Sequence, residues 1–411
     1  MIIPRLFLLV ICLFPSLLSA AETPWDLKKL STPPSLQWLA TDAPVHSLTY
    51  SGEPYHGRPT SVFAYYASPA TLEKRTPTAE EKGKFPAIVL IHGGGGTAFK
   101  VWAELWARRG YAAIAMDLAG SRPDETDPKK RTRLPDGGPE QSHVEKFKTL
   151  NTEDLTDDWS YHAVANGILA HSLLLSLPEV DKTRTAVTGI SWGGYTTCIV
   201  SSVDSRFKAA VPVYGCGFLN ENSTWLKDFE GIGPDQTARW VKLYDPGSWL
   251  KQSQVPTFFV NGTNDFAYPL DSYMKSYNAV PAAKNIRIQV NMPHGHESGW
   301  APQEIGLYVD HALHLRSAKP LPKIADLPTI KDNTITATVA SVTPLTKAEL
   351  HYALPGDPAL PINKRVWTTV PAVISENQLL TAPAPPAGAD LYFFTVTDDR
   401  KATISSPVVI R

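Results

Sequence analysis

From Phe85 onward, apolar and polar positions fall into two alternating patterns. "FPAIVLIH" (Phe85–His92) is apolar without a break, as a strand covered on both faces must be. "AFKVWAELWARRG" (Ala98–Gly110) has helical spacing and stops on a glycine. A strand in "YAAIAMDLAG" (Tyr111–Gly120) and a long apolar helix in "DDWSYHAVANGILAHSLLLSLP" (Asp157–Pro178) follow. After them come strand "RTAVTGI", a helix from about Trp192, and strands "FKAAVPVYG" (Phe207–Gly215) and "VPTFFVNG" (Val255–Gly262). A helix at Leu270–Val280, strand "IRIQVNM" (Ile286–Met292) and the amphipathic "PQEIGLYVDHALHL" (Pro302–Leu315) close the series. Strands alternating with helices predict an α/β fold, a doubly wound, mostly parallel sheet wrapped on both sides. Chemistry is then expected at the carboxyl ends of the strands.

The pattern breaks in four places. Glu22 to Lys84 is rich in Pro and Ser, with one strand-like run, "TSVFAYYA" (Thr60–Ala67). Ser121 to Glu153 and Cys216 to Gln254 read as irregular insertions. Beyond Leu315 a proline-spaced linker leads into short alternating runs such as "NTITATVAS", "KAELHYAL" and "DLYFFTVTD". These predict a small β-sandwich of immunoglobulin or fibronectin type, with Trp367 and Tyr392 in its core. The N-terminus, one Arg before an apolar run from Leu6 to Leu18 and then Ser19-Ala20-Ala21, reads as a secretory signal peptide too short to span a bilayer. The expected layout is a signal at 1–21, a catalytic body at 22–318, a linker at 319–328 and a β-domain at 329–411.

Composition narrows the function. A net charge of -1 lacks the basic footprint of nucleic-acid binding, and the basic run "DPKKRTR" (Asp127–Arg133) reads as a solvated loop. With the signal removed, Cys198 and Cys216 remain, either two buried thiols or one bridge. The expected destination is the periplasm or the cell exterior, with no membrane attachment afterwards.

The chemistry centres on "GISWGG". A serine on a sharp strand-to-helix turn needs glycines two positions before and two after it, which Gly189, Ser191 and Gly193 supply. An acid and then a histidine should follow at later strand ends. Asp265 in "NGTND" is the acid, and "PHGHE" offers His294 and His296. A metal site from His294, His296 and Glu297 lacks a well-spaced further ligand cluster, and neither metal nor cofactor is expected.

"HGGGG", "GISWGG", "NGTND" and "PHGHE", in that order, resemble the α/β-hydrolase superfamily over Phe85 to Leu315, in its dienelactone hydrolase, acetylxylan esterase and prolyl oligopeptidase branch. The resemblance implies a base with Gly directly before it, which favours His296, after Gly295, over His294. It also implies an oxyanion hole from the N–H groups of Trp192 and of Gly94 or Gly95, with His92 structural. The implied activity is a secreted serine esterase on acylated carbohydrate or another small ester. Trp300 and Trp225 are candidate substrate platforms, although aromatics at this density more often form core. A prolyl oligopeptidase-like peptidase is the alternative, disfavoured because Glu22–Lys84 is too short for a β-propeller. A catalytically inert, glycan-binding hydrolase body is the reading from another class.

Overall fold

The computed structural model describes residues 23–124, 127, 130–148, 150, 154–356 and 364–411. The expected signal peptide lies outside them. The main sheet has nine strands: β1 (Leu36–Ala40), β2 (His46–Ser51), β3 (Ser61–Ala67), β4 (Phe85–Ile91), β5 (Ala112–Met116), β8 (Val180–Ile190), β9 (Ala209–Val213), β10 (Thr257–Gly262) and β11 (Lys284–Gln289). Their order is β1-β2-β3-β5-β4-β8-β9-β10-β11. From β5 to β11 all neighbours are parallel, while β1, β2 and β3 join antiparallel at one side. The two strands of the N-terminal extension before β3 gave no clear alternation in the sequence.

The parallel strands are apolar on both faces because helices cover both. β5 and β9 are buried at every position, and β4 at all but its first. The helix Trp159–Leu174 shows what that means for a helix: all sixteen residues are buried, so it needs no polar face. Trp25 Nε1 donates to the Tyr161 carbonyl at 3.0 Å, Ser172 Oγ to that of Leu30 at 2.6 Å, and Tyr244 Oη to Asp158 Oδ2 at 2.7 Å. The N-terminal extension and the second insertion thus cover the side of this helix that the sheet leaves open.

Both insertions are ordered where they are described. In the first, β6 (Ser121–Pro123) pairs antiparallel with β7 (Arg131–Arg133). The basic run is therefore not simply a solvated loop: Arg131 donates to the Gly96 carbonyl at 3.0 Å and Arg133 to that of Ala119 at 2.7 Å. Helices Leu226–Ile232, Pro234–Tyr244 and Pro246–Trp249 build the second.

The C-terminal region is all β, with β12 (Thr329–Lys331), β13 (Thr334–Thr338), β14 (Leu345–Ala353), β15 (Trp367–Ile374), β16 (Leu379–Pro383), β17 (Leu391–Asp398), β18 (Thr403–Ser405) and β19 (Val409–Ile410). β15 changes partner midway, facing β14 through Trp367–Ala372 and β16 through Val373–Ile374. The proline-spaced stretch before it is not a free tether. Leu321 and Ile324 are buried, and Arg400 donates to the carbonyls of Lys319 and Pro320. Among the described residues no helix is long and apolar enough to cross a membrane.

Candidate active site

Where strand order reverses, between β4 and β8, two neighbouring strand ends open outward, the usual place for a site in such sheets. β4 delivers the Gly93–Gly96 loop and β8 delivers Ser191. Ser191 has φ 58° and ψ -118°, a strained conformation for a residue with a Cβ. Its N–H donates to the Val213 carbonyl at 2.8 Å and its carbonyl accepts from Tyr195 at 2.9 Å, so both neighbours hold the turn. The glycines are there for space: a Cβ on Gly193 would strike the Ile91 carbonyl, and one on Gly189 the carbonyl of Gly193.

Asp265 lies just past β10 and His294 just past β11. The Ser191 hydroxyl donates to His294 Nε2 at 3.0 Å, and His294 Nδ1 donates to Asp265 Oδ2 at 2.7 Å. The other carboxylate oxygen of Asp265 accepts from the N–H groups of Ala267 at 2.9 Å and Tyr268 at 2.8 Å. Asp265 is buried, so this ring of donors fixes its carboxylate. The imidazole of His294 is sandwiched, with Tyr214 stacked at 4.5 Å and Phe266 tilted at 5.0 Å.

His296 is not the histidine on the serine. It opens the short helix His296–Trp300, and its Nε2 accepts the Gly93 N–H at 3.0 Å. Phe99 covers its ring at 4.7 Å. Burial first, then the nearby His92 and His294 rings, pull its pKa down to about 4, so it stays neutral and can keep accepting. The glycine before a histidine was a misleading cue, since Gly295 serves here as the cap of a helix. His92 accepts the Leu118 N–H at Nε2 (2.9 Å) and donates from Nδ1 to the Gly93 carbonyl (2.7 Å).

His296 also sorts the N–H groups of the glycine loop. It takes the Gly93 N–H, and the Gly96 N–H bonds to the Gly93 carbonyl at 3.2 Å. Among the described residues the N–H groups of Gly94, Gly95 and Trp192 have no partner in the chain. The Trp192 N–H also opens the helix Trp192–Val203, where the helix dipole adds partial positive charge.

The two tryptophans do not form an open platform. Trp225 is buried against Trp192 (4.6 Å) and Tyr268 (5.1 Å). Trp300 packs on Phe99 and Trp102, lining a shallow 180 Å³ cleft with Trp106 and Arg109 that does not include Ser191. Three site residues escaped sequence reasoning: Tyr214, Phe266 and Tyr268. Tyr214 also has φ 63°, and its hydroxyl donates to the Pro293 carbonyl at 2.7 Å, tying the end of β9 to the His294 loop. Cys198 and Cys216 are free, buried thiols, and burial raises the pKa of both. Among the described residues no group of three or more His, Cys, Asp or Glu is placed to hold a metal.

Comparison with known proteins agrees with this geometry. The family model for acetyl xylan esterase (AXE1) matches residues 43–228, and that for the prolyl oligopeptidase family matches residues 150–313. Acetyl xylan esterase from Paenibacillus sp. R4 shares the fold at TM-score 0.53 and 22% identity, over 66% of this chain and 87% of that one. Acetyl xylan esterase 1 from Thermoanaerobacterium sp. JW/SL YS485 does so at TM-score 0.51 and 17% identity, over 72% and 95%. The family matches support a serine hydrolase of the esterase type. With the elbow at the end of β8 and the doubly wound sheet around it, these matches support the α/β-hydrolase branch that holds the acetyl xylan esterase and prolyl oligopeptidase families.

Proposed function

We propose that the protein is an exported serine esterase that releases acyl groups, acetyl above all, from acylated carbohydrate by way of an acyl-enzyme. The observation that carries this is the chain of hydrogen bonds from Ser191 through His294 to Asp265, starting from a serine at positive φ. His294 takes the proton of Ser191 as its oxygen attacks the ester carbonyl. Asp265 holds Nδ1–H and stabilises the imidazolium that forms. The tetrahedral oxyanion is met by the Trp192 N–H together with that of Gly94 or Gly95. One such donor is worth on the order of 3 kcal/mol in the transition state. His294 then passes its proton to the leaving alcohol, and water repeats the sequence on the acyl-enzyme.

Residues 22–318 act as the catalytic body in this reading, 319–328 join it to the next unit, and 329–411 form a bent-sheet sandwich. Burial of Trp225 against Trp192 and Tyr268 beside the elbow favours a short acyl group. A peptidase activity is the second reading, favoured by the prolyl oligopeptidase match, which spans Ser191, Asp265 and His294.

The test compares acetyl release from acetylated xylan with cleavage of a blocked Pro-peptide anilide, in wild type and Ser191→Ala. Acetyl release abolished by the substitution supports the esterase. Cleavage of the anilide alone moves the protein to the peptidase side, and activity that survives Ser191→Ala overturns the assigned nucleophile.

A further inference from the structure

The loop that carries Asp265 makes a contact the hydrogen-bonded triad does not require. Asn264, the preceding residue, accepts from Trp367 Nε1 at Oδ1 (2.7 Å) and donates from Nδ2 to the Arg365 carbonyl (2.8 Å). Trp367 opens β15 and Arg365 lies two residues before it, about a hundred residues further along the chain and in the C-terminal β-unit. Because one atom of the amide accepts and the other donates, the side chain is held in a single orientation. The next residue is Asp265, followed by Phe266, which packs on His294.

The far side of this contact is itself anchored. The Trp367 ring packs on Phe393 at 5.5 Å, and Arg365 pairs with Asp390 at 3.1 Å. The unit docks on β11, the last strand of the main sheet, and on the helix Gln303–Ala312. Ile288 N–H donates to Ser405 Oγ at 2.9 Å, Thr403 N–H to Glu304 Oε1 at 2.7 Å, and Asn285 Nδ2 to the Pro322 carbonyl at 2.8 Å. This docking covers an otherwise open sheet edge and gives Trp367 a fixed base from which to hold Asn264. Trp367 therefore does not simply fill its own domain's core, as its sequence context suggests.

We propose that the C-terminal β-unit is a working part of the active site, with Trp367 and Asn264 as positioning residues that keep the Asp265 loop in register with His294. The proposal rests on the Ser191–His294–Asp265 reading above. Catalysis falls steeply with small misplacements of reacting groups, roughly a hundredfold for 1 Å. Freeing the loop should therefore lower kcat rather than weaken substrate binding. A looser Asp265–His294 pair also stabilises less well the imidazolium that forms in the transition state.

The experiment uses the full chain and Trp367→Phe, which keeps an aromatic ring and removes the donor, with Asn264→Ala and the double variant. Rates on 4-nitrophenyl acetate are referred to active sites titrated with a phosphonate. The expected result is a kcat about 5- to 50-fold lower with KM within about twofold. The double variant should be no worse than Asn264→Ala alone. Should Trp367→Phe be too unstable to assay, Asn264→Asp keeps the acceptor and loses the donor. Wild-type kcat per titrated site, whether or not the denaturation midpoint drops, would overturn the proposal. Activity that survives Ser191→Ala would remove its premise instead, and overturn it on that ground.

Discussion

His294 and His296 stand two residues apart, and a pair of substitutions separates their work. His294→Ala removes the ring nitrogen 3.0 Å from Ser191 Oγ. Among the described residues no other histidine hydrogen-bonds to Ser191, and His296 Nε2 is already occupied by the Gly93 N–H. Losing the general base of such a triad costs roughly 10⁴- to 10⁶-fold in kcat, or about 5 to 8 kcal/mol of transition-state stabilisation. His296→Ala breaks one backbone hydrogen bond, worth about 0.5–1.5 kcal/mol. Its effect reaches the reaction only through the glycine loop, so a fall of roughly 2- to 12-fold is expected. The assay is single-turnover acylation by 4-nitrophenyl acetate, with the deacylation phase followed separately. Comparable losses in the two variants, or a His294→Ala enzyme within tenfold of wild type, would refute the assignment.

Other groups invite simpler tests. Tyr268 is buried with Ser191 as its polar neighbour, yet its hydroxyl completes no hydrogen bond among the described residues. Tyr268→Phe removes an unsatisfied buried group and should raise stability by about 1–3 kcal/mol in urea melts, and a loss of stability would contradict this. Lys146 is buried over the rings of Trp192 (4.8 Å) and Trp159 (5.3 Å), and desolvation pulls its pKa from 10.5 down to about 8. Between those values the unfolded chain binds more protons than the folded one, so Lys146 makes stability rise with pH there, by up to about 3 kcal/mol. Lys146→Met should flatten that rise in denaturation midpoints from pH 8 to 10.5, and an unchanged slope would rule the effect out. In Gly193→Ala the new Cβ meets the Ile91 carbonyl. Destabilisation by more than about 3 kcal/mol is expected, and a variant with near-native melting would show that the elbow has room to spare.

The local signals in this chain were strong where periodicity and steric need coincide. Unbroken apolar runs announced β4, β5, β9 and β10, because a strand covered on both faces has no polar side to show. Gly189 and Gly193 announced the elbow, because nothing larger fits between neighbouring backbones. Serine, acid and histidine could be ordered along the chain for the same reason: each follows the end of a parallel strand. Between His294 and His296 the sequence had no means to choose. Both lie in one short loop, and the choice depends on which ring reaches Ser191 across β9 and β10 and which meets Gly93. Strands β1 and β2 were missed because they bury too little to show a clean alternation: β1 is exposed beyond its first residue, and β2 buries only Leu48 and Tyr50. The link from Trp367 to Asn264 was equally out of reach. No local rule connects residues 103 apart, and only the docking of one sheet's edge against another unit brings that indole to the loop beside Asp265.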